Sequence, residues 1–164
     1  MDLVSKEHLK PIVHQGPNRC FACGAANPTG LHLEFLTAED GSVVSLPAVG
    51  ENFEGYPGYL HGGIIATLLD EAMSKAIRAL GQSAMTRRME VDYRRPVPSN
   101  VQIRIEGRIV RSEERKHWLE ANILNTHGAV LAHGKGLFIE ISSKNRPVHR
   151  SPAADRERVD RENV

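Results

Sequence analysis

Alternation between apolar and polar positions begins at Leu31, where Leu31, Leu33 and Phe35 stand against His32 and Glu34, the period of a half-buried strand. An Asp40-Gly41 turn signal follows, and "SVVSLPAV" (42–49) makes the returning strand. From Ile64 the period becomes helical: Ile65, Leu69, Ala72, Met73, Ala76 and Leu80 gather on one side, Glu71, Lys75 and Arg78 on the other. Alternation then returns in 84–97, through Met85, Met89, Val91 and Tyr93, and in 101–110, through Val101, Ile103, Ile105 and Ile109, the two runs being divided by Pro96 to Asn100. Two last strands, 116–126 and 129–141, meet at His127-Gly128, a tight hairpin signal. The predicted order is β-β-α-β-β-β-β, an α+β fold in which one long helix covers one face of a mostly antiparallel sheet.

The ends of the chain do not share this patterning. Residues 1–19 mix charge, Pro11, Gly16 and Pro17 around a short apolar patch from Leu9 to Val13 and read as a short helix or an extended arm. Residues 143–164 keep Val148, Val159 and Val164 as their only large apolar side chains, too few to offset the entropy of ordering, and read as a charged, flexible tail. The domain is expected between them, at 20–142. A chain of 164 residues, 40% hydrophobic and 25% charged, suits one such domain.

Charge and targeting features narrow the partners. A formal net charge of +1 gives no overall pull toward nucleic acid or an acidic membrane. The first residues lack the basic start and apolar centre of a signal peptide and no stretch is apolar enough to span a bilayer, so a cytoplasmic location is the expectation. Cys20 and Cys23 are the only cysteines, and a reducing cytosol keeps such a pair as thiols.

Chemistry gathers in "GYLHGGIIATLLDEAM" (58–73). Asp70 falls at the edge of the apolar arc beside Ala66 and Ile77, while Glu71 lies inside the polar arc near Lys75, so Asp70 is the acid expected to be partly desolvated. Partial burial raises a carboxylate's pKa and suits it to act as a base or nucleophile, although position alone also allows a structural hydrogen bond or salt bridge. Gly62 and Gly63, at the start of the helix, let a ligand approach backbone N–H groups that carry the positive end of the helix dipole and could hold a carbonyl oxygen as it becomes an oxyanion.

The stretch "HGGIIATLLDEAM", preceded by "GYPGY" and followed by "MTRRMEVDYRRPVP", resembles the hotdog-fold acyl-CoA thioesterases of the phenylacetate-pathway and THEM type over roughly Cys20 to Ile141. The resemblance implies a curved antiparallel sheet wrapped around the helix, and two subunits, or a dimer of dimers, with active sites at the dimer interface. It implies hydrolysis of an acyl-CoA to a free acid and coenzyme A with no metal and no redox cofactor. Position by position it assigns the polarising N–H to Gly62, the base or nucleophile to Asp70, and water holding to Thr86, contributed by the partner subunit. His61 shapes the loop or binds substrate, and Gly63 and Asn52 join the substrate-binding set. One departure stands out: the asparagine that some members place six residues before the motif histidine is Gly55 here. A hotdog dehydratase is disfavoured, because Asn52 and Leu68 occupy the positions where its histidine and acid would fall. A non-catalytic acyl-CoA binding module is the rival reading.

Other residues add options. Arg87, Arg88, Arg94 and Arg95 suit the phosphates of coenzyme A, Arg94 and Arg95 above all, or else form a solvated face pairing with Glu90 and Asp92. A zinc site could be assembled from His14, Cys20, Cys23 and His32, but one Cys-x-x-Cys without a second pair favours a buried turn with inert thiols, so no metal is expected. Trp118 reads as a packing residue or a wall of the acyl pocket.

Overall fold

The computed structural model describes residues 9–13 and 17–141; the 143–164 tail and His14 lie outside the described residues. Strand β1 (Lys10–Pro11), β2 (Leu36–Thr37) and β3 (Val43–Ser45) are short. They are followed by a 3-10 turn (Glu51–Phe53) and a small hairpin of β4 (Glu54–Tyr56) and β5 (Tyr59–Leu60). Helix α1 (Gly62–Ala79) leads to four long strands, β6 (Ala84–Tyr93), β7 (Arg104–Glu113), β8 (Lys116–Leu124) and β9 (Val130–Glu140). The main sheet has 7 strands in the order β1-β2-β3-β7-β8-β9-β6, and every ladder is antiparallel. With α1 lying across one face, this is the hotdog fold.

The long strands alternate as their sequences require. Ile105 of β7, Leu119, Ala121 and Ile123 of β8, and Ala132 and Phe138 of β9 face α1 and are buried with Leu68, Leu69, Ala72, Met73 and Ala76 of the helix. The helix comes so close to β7 that a Cβ on Gly107 would sit 2.5 Å from the Ala72 carbonyl oxygen, so glycine is the residue that lets backbone meet backbone there. Residues of opposite parity turn outward: Arg108 pairs with Glu120 at 3.2 Å, and the Arg111 guanidinium stacks 3.9 Å over the Trp118 ring. Trp118 therefore sits on the outer face of β8, away from the helix core.

Several expectations need correction. The first strand is confined to Leu36–Thr37, because His32 adopts φ 51 and the Leu31 and Leu33 N–H groups bond the carbonyls of Phe21 and Ala22 instead of a sheet neighbour. Leu33 and Phe35 are buried all the same. The returning strand stops at Ser45 ahead of Pro47, which has no N–H to offer a ladder. The strand expected at 101–110 starts at Arg104 and runs on to Glu113, while Val101, next to Asn100 at φ 55, is exposed. Residues 10–11 of the expected arm form an edge strand on β2.

The polar arc of α1 is not solvated. Glu71 is 9% exposed and Lys75 3%, because the loop before β2 covers the helix face that the sheet leaves open. Leu80, placed on the apolar side, is exposed beyond the last helical turn. Among the described residues no helix is long and apolar enough to cross a membrane.

Candidate active site

His61 caps α1. Its backbone is extended, and its ring Nδ1 accepts the Gly63 N–H at 2.9 Å, satisfying one of the donors that a helix start leaves open. Gly63 N–H is thus engaged by the cap, while Gly63 itself, expected in the substrate-binding set, stands in the first turn of the helix. Gly62 N–H has no acceptor among the described residues and lies at the positive end of the helix. Tyr93, at the far end of β6, donates from its hydroxyl to the Gly62 carbonyl at 3.1 Å and its ring lies against the glycine. Strand alternation gave no hint of that tie, since it relates residues on one strand and not a side chain to a helix start.

Gly55 explains the departure in the loop. A Cβ there would stand 2.8 Å from the Cα of His61, so β4 can lie against the capping residue only as glycine. The hairpin is further held by the His61 N–H, which bonds the Phe53 carbonyl at 2.9 Å. Asn52 is exposed on the 3-10 turn just before this contact.

Two turns along the helix, the Thr86 hydroxyl donates to Asp70 Oδ1 at 2.7 Å. Both residues belong to one chain, because the short connection 80–83 brings β6 directly beside α1; Thr86 does not have to come from a partner. A β-bulge between Thr86 and Arg88 adds a residue here, a local kink that re-aims side chains. Burial raises the Asp70 carboxyl above its ordinary range, the Thr86 hydrogen bond pulls it down, and the neighbouring Glu71 charge adds to the rise. A half-buried carboxylate with one oxygen held by a hydroxyl is poised to accept a proton from water.

A profile of the thioesterase superfamily matches residues 57–132, the span that holds His61, Gly62, Asp70 and Thr86. Over that span the chain is similar to the thioesterase superfamily. Within it, the bovine (Bos taurus) acyl-coenzyme A thioesterase THEM4 is 31% identical over 108 residues, covering 65% of this chain and 44% of that protein. The chain thus spans less than half the length of the curated relatives it matches first, from 44% to 49%. Among solved structures, one thioesterase superfamily protein is 27% identical with a TM-score of 0.71, over 74% of this chain and 60% of that one. A protein from Bacillus halodurans, solved with CoA, is 27% identical with a TM-score of 0.63, over 73% of this chain and 81% of that one.

The remaining sequence candidates lie around this site in different ways. Arg94 and Arg95 follow β6 directly, are exposed, and both donate backbone N–H groups to the Leu131 carbonyl at 2.9 Å. Arg94 lies 4.0 Å from Asp92, and Arg88 pairs with Glu90 at 2.6 Å, both on the solvent side. His32 is exposed, whereas Cys20 and Cys23 are brought to the helix face opposite the sheet, beside Glu71. There burial, with the Glu71 carboxylate adding to it, pushes the Cys23 thiol up to about 12.

Proposed function

We propose that this chain hydrolyses an acyl-CoA thioester to a free carboxylic acid and coenzyme A, using Asp70 as general base. The observation that carries the reading is the Asp70 carboxylate, half-buried, raised in pKa and held by Thr86. Asp70 takes a proton from water as the water oxygen attacks the thioester carbon. The carbonyl oxygen gains the charge and is met by Gly62 N–H, and collapse expels the coenzyme A sulfur, which receives the proton. Neither electron transfer nor a Lewis acid is needed. Arg94 and Arg95, at the end of β6 whose Tyr93 reaches Gly62, are offered to the coenzyme A phosphates.

The site is completed by a second copy. Gly62 and Asp70 are eight residues apart, about 12 Å along the helix, more than a single carbonyl and its attacking water span. Among the described residues strand β6 ends the sheet with a long open edge on which Met85 is 63% exposed and Tyr93 56%. Pairing two such edges would set Asp70 and Thr86 of one protomer against Gly62 of its partner, in a dimer or a dimer of dimers. The reading places the protein in the cytoplasm, where Cys20 and Cys23 stay reduced.

The test is thiol release from short, long and aromatic acyl-CoAs by the wild-type protein and by Asp70→Asn. The substitution is expected to lower kcat by about 10²- to 10⁴-fold. Wild-type turnover by Asp70→Asn would remove Asp70 from the mechanism, and tight acyl-CoA binding with no thiol release by the wild type would favour the non-catalytic binding module.

A further inference from the structure

We propose that Cys20, Cys23 and Glu71 form a zinc site that clips the loop before β2 to helix α1. Sulfur and oxygen donor atoms of these three residues all lie within 4.8 Å of one another. With zinc bonds of the usual length, a tetrahedral site sets two sulfurs about 3.8 Å apart and a sulfur and an oxygen about 3.6 Å apart. Cys20 Sγ donates a long S–H···O hydrogen bond to Glu71 Oε2 at 3.7 Å, a separation close to that tetrahedral edge.

The surroundings are organised as a metal site needs. Cys20 and Cys23 are aimed the same way by a turn that the Gly24 N–H closes on the Cys20 carbonyl at 2.8 Å. Asn18 braces it, accepting the Cys20 N–H at 3.0 Å and donating to Cys23 Sγ at 3.4 Å. Glu71 divides its oxygens, Oε1 to Lys75 at 3.2 Å and Oε2 toward Cys20. Lys75 Nζ also donates to Cys23 Sγ at 3.1 Å, an N–H···S bond of the kind that steadies a bound thiolate. Two thiolates and one carboxylate carry three negative charges, which one dication and the Lys75 ammonium balance. Binding releases both thiol protons to solvent, and water takes the fourth position, reached from the exposed side of Cys20. The Glu71–Lys75 pair lies within the helix, so the contacts that join the loop to α1 here run through the two sulfurs.

The full chain, kept reduced, stripped with a chelator and then titrated with Co²⁺ as a spectroscopic stand-in, tests this independently of thioester hydrolysis. Expected are thiolate-to-cobalt charge-transfer absorption and the intense visible bands of a tetrahedral ion, saturating at one metal per chain and bleached by Zn²⁺. Cys20→Ser and Cys23→Ser should each abolish the charge-transfer signature, Glu71→Gln should weaken Zn²⁺ binding by at least about tenfold, and His32→Ala should leave both unchanged. A wild-type chain, folded by circular dichroism, that shows no such absorption with excess Co²⁺ overturns the site. So does an unaltered titration in Glu71→Gln, or a lost one in His32→Ala.

Discussion

Asp70 is held between opposing influences. Burial and the Glu71 charge favour its neutral form, and the Thr86 hydroxyl favours the carboxylate. A general base works only when ionised, so kcat/KM should fall as pH drops through a pKa lying above the ordinary aspartate range. Thr86→Ala removes the one contribution that lowers this pKa, and the acid limb of the profile should therefore move to higher pH. A limb that stays in place or moves down would break the link between the two residues. The helical wheel put Asp70 at the margin of the apolar arc, which is where it lies. The same wheel put Glu71 in solvent and was wrong, because a wheel registers the sheet's side of a helix and nothing of a loop that folds over the other side. Tyr93 was missed for a related reason: its contact is with a distant helix start, to which strand period is blind.

At the scale of elements, the close crossing of α1 over β7 limits what the sheet can hold. Gly107→Ala would push a methyl group into the Ala72 carbonyl and should destabilise the fold by about 1–3 kcal/mol, read as a lower urea midpoint at unchanged m. A value indistinguishable from wild type would mean that the helix can lift off the sheet at no cost. This contact had a trace in the sequence, since Gly107 continues the inward series of Ile103 and Ile105 where another large residue is due. Long periodic segments were legible throughout, from α1 to β9. Strand β1 and the β4–β5 hairpin were not, because two or three residues define no period, although the Pro57-Gly58 turn inside the hairpin, with Gly58 at φ 83, was available as a signal. The exposure of the β6 edge leaves no mark in the alternation either: Met85 and Tyr93 alternate like core residues and yet are exposed.

For the whole molecule, the question is whether a site is made within one chain or between two. Gly62→Pro answers it cleanly. Position 62 is the first residue of the helix, where proline is tolerated, and His61 at φ -61 and ψ 140 already has the conformation that precedes proline, so the change removes the N–H and keeps the fold. Asp70→Asn and Gly62→Pro should each be inactive alone. Unfolded together and refolded as a mixture, they should recover about a quarter of wild-type thiol release, because half the dimers are mixed and each of these holds one intact site. No recovery would place Gly62 and Asp70 of one chain in the same site. On the shared arrangement, the eight-residue gap between Gly62 and Asp70 acts as a safeguard in time. A newly made chain is folded yet inert until it meets a second copy, so at low abundance hydrolysis would rise with the square of the amount synthesised.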